Sequence, residues 1–203
     1  MIAAVSCGQR KRSKLSGTNM LAGLYAAATA DERQLGLSWY PQARQQVAEL
    51  AEKTHHRLDV AAAAVAISSA GVAWKDNLRI AEDFLTGREP YGNVTGAMRS
   101  SFTAYMVGLL PEPRGPKVNA FYHNLLGCDD TVTVDTHMIC AYHGEKLPRT
   151  GKVVKWYFRM AERLDIIAAA VKELAYTEGL KPAEMQATLW VAWRNKHAGR
   201  WAS

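Results

Sequence analysis

The sequence predicts an all-α protein, and three observations lead to this prediction. Apolar residues recur every three or four positions along most of the chain, as at Trp74, Leu78, Ala81 and Leu85, which is the spacing of one helix face. Prolines and glycines stand where such segments begin and end. The one alternating β-branched run, TVTV at 131–134, is too short to build a sheet.

The individual helices follow from these signals in chain order. Helix starts are indicated at Pro41, Asn93, Pro116 and Pro182, and helix ends at Gly87, Gly127, Gly144 and Gly179. We therefore predict helices near 18–29, 40–54, 58–69, 74–86, 93–109, 116–126, 136–143, 152–176 and 182–197, with room for a break near Leu164. The segment 58–70 is apolar on every side, which predicts a helix buried at the centre of the bundle.

The composition favours one folding unit over residues 1–203, with 48% hydrophobic and 22% charged residues. No window approaches the roughly 18 uncharged apolar residues that a membrane-spanning helix requires, so we expect no membrane partner. The N-terminal apolar run precedes its basic cluster, unlike a secretory signal. The scattered cysteines Cys7, Cys128 and Cys140 offer neither a disulfide framework nor a Cys-x-x-Cys zinc site. These features favour a cytoplasmic protein.

The charge balance favours an anionic partner, with DNA as the leading candidate. The formal net charge is +6 and the isoelectric point is about 9.3, and lysines and arginines that meet phosphates gain affinity by releasing counterions. The basic cluster from Arg10 to Lys14 is either an arm that touches phosphates or a solvated tail. The sequence leaves the oligomeric state open, and a monomer is favoured.

The stretch from Leu110 to Tyr142 carries the residues with the strongest chemical implications. A hairpin containing proline and glycine precedes a helix at Pro116, Gly127 ends that helix, and Asp135 begins the next one after a short extended run. Two helix N-termini are thus presented, each with unpaired backbone N–H groups and partial positive charge. Such helix ends bind anions.

This stretch resembles the helix-hairpin-helix DNA glycosylases of the endonuclease III type. Their hairpin glycine, the Lys-Thr/Val helix start and the Val-Asp-Thr-His sequence look like Gly115, Lys117-Val118 and 134–137 here, and the interval from Lys117 to Asp135 also matches. Further upstream, 66–70 and 74–77 look like the same family, so the resemblance covers about 58–143. The segments 36–40 and 182–194 are similar to small phage-encoded members, which implies the host cytoplasm as the location.

The resemblance implies a two-lobed helical bundle. Residues 58–143 would form the central helices with the hairpin and the catalytic aspartate, and residues 1–57 and 144–203 would form the second lobe. No cysteine follows Cys140, so the iron–sulfur cluster of many relatives should be absent, and neither a metal nor another cofactor is expected.

The resemblance also implies roles for individual residues. Asp135 would stabilise the positive charge that develops on deoxyribose when an N-glycosidic bond breaks, and Lys117 would attack C1′ to give a Schiff base and strand cleavage. The other implied residues bind DNA or line the pocket for a flipped base. The DNA-binding set is Arg114, Gly115, Val118, Lys75 and Asn77, and the base-pocket set is Tyr122, His123 and His137.

Two departures from the family pattern keep alternatives open. Pro113 replaces the first hairpin glycine and lacks the N–H that would contact a phosphate, and Ala70 replaces the glutamine that probes the DNA stack. The alternatives are a phage transferase that hypermodifies a flipped base and a DNA-binding protein without catalysis. Asp135 could be an ordinary helix cap, and Lys117 a solvated lysine. A metal set of Asp135, His137, Cys140 and His143 is less favoured, because His137 lies on a different helix face.

Overall fold

The computed structural model describes residues 16–90, 92 and 94–197. In this part of the chain the regular secondary structure is entirely α-helical, without a β-strand. The all-α prediction is therefore confirmed. The helices are α1 (Gly17–Ala27), α2 (Ala30–Thr54), α3 (Leu58–Ser68), α4 (Trp74–Leu85), α5 (Gly96–Met106), α6 (Pro116–Leu125), α7 (Thr136–His143), α8 (Lys152–Phe158), α9 (Ala161–Thr177) and α10 (Pro182–Lys196). The basic cluster from Arg10 to Lys14 lies outside the described residues, as does Asn93.

Two predicted boundaries were wrong. The helix predicted from 40 begins at Ala30, because Thr29 and Glu32 form a reciprocal capping box there and Pro41 is tolerated inside the helix. The long helix predicted over 152–176 is interrupted at Met160, where the backbone is extended, rather than at Leu164. Neighbouring residues Arg159 and Met160 therefore separate α8 from α9.

The buried apolar side chains form two clusters. The first cluster joins α1, α7, α8, α9 and α10. The second surrounds α3, whose residues 61–66 are completely buried, and takes in α2, α4, α6 and Phe102 of α5. The predicted buried helix is confirmed over residues 61–68, whereas Leu58 at its start is exposed and Ala70 lies exposed beyond its end. α2 packs with the second cluster, α7 packs with the first, and α10 contributes to both. The assignment of the segments 1–57, 58–143 and 144–203 to two lobes stays a prediction.

The closest approach of two helices positions one side of the functional site. Gly36 of α2 lies against α10, where an added Cβ would come within 2.7 Å of the Thr188 backbone nitrogen. Since a side chain at this position would push the helices apart, glycine allows α2 and α10 to pack in direct contact. Further along the same two helices, Trp39 and Trp190 meet with ring centroids 6.0 Å apart.

Within the described residues, none of the helices is both long enough and apolar enough to cross a membrane.

Candidate active site

A cleft opens where the two apolar clusters meet. Its cavity volume is about 120 Å³. Its lining comes from α2, the α3–α4 turn, α4, α6, the segment before α7, and α10. The lining residues used below are Trp39, Tyr40, Ser69, Trp74, Asn77, Lys117, Phe121, Thr133, Asp135, Gln186, Trp190 and Arg194.

The walls of the cleft are aromatic. Trp39 stands at the centre of this group, with ring centroids 5.5 Å from Trp74, 5.9 Å from Phe121 and 6.0 Å from Trp190. The three tryptophans are partly exposed, whereas Phe121 is buried. Partly exposed aromatic walls of this kind offer flat apolar faces on which a planar ring can stack.

Asp135 is both a helix cap and a residue of the cleft. Its Oδ1 accepts a hydrogen bond from the backbone N–H of Met138 at 2.9 Å, which caps α7. Its Oδ2 accepts a hydrogen bond from Nε1 of Trp190 at 3.1 Å. The two bonds fix the plane of the carboxylate at the N-terminus of α7. The capping interpretation is correct and is compatible with a catalytic one.

The segment that carries Asp135 is held by the buried side chain of Asn124. Its Nδ2 donates to the carbonyl oxygens of Cys128 at 2.9 Å and Thr131 at 2.8 Å, and its Oδ1 accepts from Thr133 at 2.7 Å. Along the alternating run, Val132 and Val134 point into the first cluster while Thr133 points the other way, toward Asn124. The alternating TVTV pattern therefore belongs to an extended connection and not to a β-sheet.

Salt bridges anchor the beginning of the same connection. Asp129 accepts from Arg44 of α2 at 2.5 Å and from Lys181 at the start of α10 at 2.6 Å. The Arg44 guanidinium also donates to the carbonyl oxygen of Asn124 at 2.8 Å. These contacts join α2, α6 and α10 behind the cleft, so the position of Asp135 is set by three helices.

Lys117 lies on the first turn of α6 and reaches into the cleft. Its Nζ donates a hydrogen bond to Ser69 Oγ and lies 5.4 Å from the ring centroid of Phe121. Burial lowers the pKa of this ammonium below its ordinary value, Asp135 opposes the shift, and Arg149 adds to it. A larger fraction of the side chain is therefore the neutral amine, which is the nucleophilic form.

Two arginines flank the cleft. Arg194 lies over Trp190, with its guanidinium carbon 4.4 Å from the ring centroid. Arg149, from the connection between α7 and α8, reaches the α3–α4 turn, where its Nη2 lies 2.7 Å from the point that a Cβ on Gly71 would occupy. Neither arginine forms a salt bridge with any residue that the structure describes. The lining thus combines one carboxylate with an excess of cationic groups.

His137 stands beside the cleft rather than in its lining. Its ring meets Trp190 edge to face, with centroids 6.1 Å apart. Burial is the largest influence on the pKa of His137 and lowers it, while Asp135 opposes the shift and Arg194 and Arg149 add to it. The imidazole is thus biased toward the neutral form at neutral pH.

The other predicted site residues are not brought together. Asn77 lines the cleft, but Lys75, Arg114 and Gly115 are exposed outside its lining, and Val118 packs against the second cluster. The two remaining base-pocket predictions do not match the cleft. Tyr122 is buried, with its hydroxyl 3.4 Å from that of Tyr105, and His123 pairs with Glu112 at 3.0 Å. Both belong to the opposite side of α6, where aromatic spacing reflects packing.

The metal interpretation finds no support in the geometry of the described residues. No group of three or more histidine, cysteine, aspartate or glutamate side chains is positioned there to hold an ion. Cys140 is fully buried, with Sγ accepting from the Leu147 backbone N–H, and His143 contacts the Tyr157 hydroxyl at 3.1 Å. These side chains pack inside the first cluster.

The comparisons with known proteins supply a family but no reaction. A family model matches residues 6–197, and its description is a family of unknown function (DUF7178). The chain belongs to the DUF7178 family. No curated protein matches it, and no solved structure does. For this DUF7178 member, any statement about activity rests on the geometry of the cleft.

Several residues of the cleft in this DUF7178 protein were missed by sequence reasoning. Trp39, Trp74, Trp190 and Arg149 were not predicted as site residues. Their signal is weak in the sequence because an amphipathic pattern marks inward positions without distinguishing a core from a cleft wall. The exposed tryptophan edges become recognisable only once α2, α4 and α10 are packed.

Proposed function

We propose that this protein is a DNA glycosylase-like enzyme of the helix-hairpin-helix type. It takes an extruded nucleotide into the cleft and cleaves the N-glycosidic bond. The observation that carries the proposal is that Asp135 and Lys117, which lie on different structural elements, line the same aromatic cleft. An isolated helix cap and a solvated lysine would have no reason to share such a cleft.

The carboxylate of Asp135 is suited to stabilise the transition state. As the bond between C1′ and the base nitrogen breaks, its electron pair leaves with the base and positive charge develops on the sugar. A carboxylate held by Met138 and Trp190 needs no reorganisation to face that charge. A water molecule then bonds to C1′ and loses its proton to Asp135, while the departing base takes up a proton from solvent.

The amine of Lys117 supports an additional lyase step. In its neutral form the Nζ lone pair can attack C1′ in place of water, and opening of the sugar ring then gives an imine. Elimination of the 3′ phosphate from this imine cleaves the strand. Burial of Lys117, which lowers the pKa of its ammonium, makes this form accessible.

The charges around the cleft support DNA as the substrate. Arg149 and Arg194 have no acidic partner among the described residues. Arg194 lines the cleft and Arg149 reaches the α3–α4 turn that borders it, where phosphates flanking an extruded nucleotide would pass. The connection between α5 and α6 provides the proposed hairpin. Gly115 has φ of +97° there, and no side chain caps the N-terminus of α6, so its first amides are available for a phosphate. We also propose that the fold is a helical bundle of the glycosylase type that lacks an iron–sulfur cluster.

A second candidate uses the same cleft for a transferase reaction. In this case the pocket holds a modified base with a leaving group, and an amine displaces that group while the glycosidic bond remains intact. Ala70, in the position of the stack-probing glutamine, is exposed and carries only a methyl group, and Pro113 is buried and lacks an N–H. Both features favour action on a predetermined base over a search for damage in duplex DNA.

Product analysis distinguishes the candidates. The wild-type protein is incubated with single- and double-stranded oligonucleotides that carry normal, damaged or hypermodified bases, and the mixture is analysed by mass spectrometry. A released base supports the glycosylase, and a mass gain on intact DNA supports the transferase. DNA that is bound but chemically unchanged in every case would contradict both and leave a DNA-binding protein.

A further inference from the structure

The floor of the cleft holds a buried carboxamide that faces the open space. Gln186 of α10 is 5% exposed, and it lines the cleft together with Tyr40 and the aromatic walls. Burying an amide this deeply is unfavourable unless each of its polar atoms finds a partner. The partners of its two ends therefore indicate what the cleft is built to bind.

The oxygen end of Gln186 is occupied from within the protein. The hydroxyl of Tyr40 donates to Gln186 Oε1 at 2.7 Å, and it has only one proton to give. The contact from this hydroxyl to Oδ1 of Asn124 is longer, at 3.1 Å, and that oxygen also accepts from Thr133 at 2.7 Å, so the proton lies on the shorter contact to Gln186. Tyr40 thus orients the carboxamide with its oxygen inward.

The nitrogen end of Gln186 is left for a ligand. Nε2 makes no hydrogen bond to any residue that the structure describes, and it borders the cleft rather than sealed protein. Two N–H donors are therefore presented at the base of a pocket whose sides are Trp39, Trp74 and Trp190. A planar ring between those walls would place one edge against these donors.

We propose that Gln186 selects the base by donating a hydrogen bond to a ring carbonyl, so that the cleft prefers keto bases such as uracil, thymine and hypoxanthine over the amino bases cytosine and adenine. This inference rests on the proposed function, since it assigns the substrate class of the same site. If the base carried an exocyclic amine at the same position, the N–H donors of Gln186 would oppose the N–H donors of the base. Both groups would then be buried without a hydrogen-bond acceptor. Sites built around such a bond reject the wrong partner strongly.

Tyr40 has the role of a positioning residue in this arrangement. Without its hydroxyl, the carboxamide of Gln186 can turn either end toward the cleft at little cost, and it can then accept from an amine as well as donate to a carbonyl. Asn124 retains Thr133 as a donor when the tyrosine hydroxyl is absent. The connection that carries Asp135 therefore stays in place, and selectivity is lost separately from the fold.

The test compares keto and amino bases on the full-length protein. Fluorescein-labelled DNA duplexes carry one 2′-fluoro nucleotide, which resists glycosidic cleavage because fluorine disfavours positive charge on the sugar. The variable base is uracil, cytosine, hypoxanthine or adenine, each opposite an abasic position. Affinity is measured by fluorescence anisotropy. The wild-type protein is expected to bind uracil over cytosine and hypoxanthine over adenine by about tenfold, the equivalent of one hydrogen bond.

Three variants sharpen the comparison. Gln186→Glu keeps an oxygen for Tyr40 and replaces the donors in the cleft by an acceptor, so the preference is expected to reverse toward cytosine and adenine. Tyr40→Phe is expected to bring both ratios close to one. Gln34→Glu, at an exposed position of α2, adds the same charge and should leave the ratios unchanged. Thermal unfolding of each variant verifies that it is folded.

The outcomes separate this inference from the proposed function. Equal affinity of the wild-type protein for keto and amino bases overturns the inference, and so does a folded Gln186→Glu variant that keeps the keto preference. If the wild-type protein releases bases of both kinds at equal rates, the inference fails while the proposed function stands. If it binds none of these duplexes and alters no base, both fail. The wild-type ratios alone decide the matter should a variant not fold.

Discussion

Trp190 donates a hydrogen bond from Nε1 to the Oδ2 oxygen of Asp135 at 3.1 Å, and this contact joins the middle of α10 to the residue that caps α7. The same indole stands beside Trp39 and beneath Arg194. One side chain thus orients the proposed catalytic carboxylate, forms a wall for a base and supports a cation. A sequence-distant pair of residues defines the site more closely than the hairpin that first suggested it.

Replacing Trp190 by phenylalanine tests this contact. Trp190→Phe keeps an aromatic wall but removes the N–H donor, so Asp135 retains only its bond to Met138. We expect base release to slow by about tenfold, because a hydrogen bond to a charged group contributes about 1.5–3 kcal/mol and only part of it is specific to the transition state. Single-turnover kinetics measures the change. Trp156→Phe, on an exposed tryptophan of α8, is the matched control. An unchanged rate in Trp190→Phe would contradict the orienting role.

The lowered pKa of Lys117 predicts a specific pH dependence. Trapping of a covalent protein–DNA adduct by borohydride should increase with pH as the amine loses its proton, with a midpoint below the ordinary lysine value of 10.5. Gel analysis of the adduct across a pH series gives the midpoint. Lys117→Met should form no adduct, whereas Lys155→Met, at an exposed position of α8, should behave as wild type. A midpoint at or above the ordinary value would contradict the burial argument.

The same shift has a consequence for stability. Because the pKa of Lys117 is lower in the folded state, the unfolded state binds more protons at any pH between the folded and unfolded values. The free energy of unfolding should therefore rise with pH through that interval. Lys117→Met removes this contribution, and urea titrations of both proteins at several pH values would show it as a flatter dependence in the variant.

The arginines that flank the cleft should contribute to the salt dependence of DNA binding. Arg149→Gln and Arg194→Gln should each reduce the slope of log K against log[salt] by about 0.9 for duplex DNA, since each removes one phosphate contact. Arg57→Gln is the control. Arg57 precedes the N-terminus of α3, about 18 Å along the helix axis from Ser69 at the C-terminus, which lines the cleft. Its side chain pairs with Asp59 at 2.9 Å. If the wild-type protein and the three variants have equal slopes, Arg149 and Arg194 do not contact DNA phosphates.

The contact between α2 and α10 predicts an asymmetry between two helical glycines. Gly36→Ala should lower the free energy of unfolding by about 1–3 kcal/mol, because the added methyl group meets the Thr188 backbone and forces the helices apart. Gly23→Ala on α1 meets nothing within 4 Å and should raise it by about 0.5–1 kcal/mol through helix propensity. Chemical denaturation measures both. Equal effects would show that the helices do not depend on this close approach.

Local signals in the sequence were sufficient for the fold class and most helix positions. The predominantly apolar segment 58–70 contains a buried helix, and Gly127 and Asp135 bounded a connection that the structure also shows. The start of α2 was misplaced because the proline at 41 was weighted above the capping pair Thr29 and Glu32. Proline is compatible with a helix interior when neighbouring turns and packing compensate for the missing hydrogen bond.

The candidate site could be predicted only in part, because some of its contacts join residues that are far apart in the sequence. Asp135 and Lys117 are separated by a short stretch of chain with recognisable chemistry, and both line the cleft. The orientation of Gln186 by Tyr40, and the approach of Arg149 to Gly71, depend on contacts between residues far apart in the chain. Such contacts leave no local pattern, so neither was available before the helices were packed.

The central claim is that the Asp135 carboxylate acts on a nucleotide held in the cleft, and its most direct test is the single-turnover rate of base release by Asp135→Asn. Asparagine caps a helix as well as aspartate does, so this variant should unfold at nearly the wild-type temperature. Asp130→Asn, which alters an exposed aspartate bonded to Lys172 and Tyr176, is the control. We expect Asp135→Asn to lose base release by at least about a hundredfold, as removal of an electrostatic stabiliser does, while Asp130→Asn retains it. A folded Asp135→Asn variant that releases bases at the wild-type rate would contradict the account.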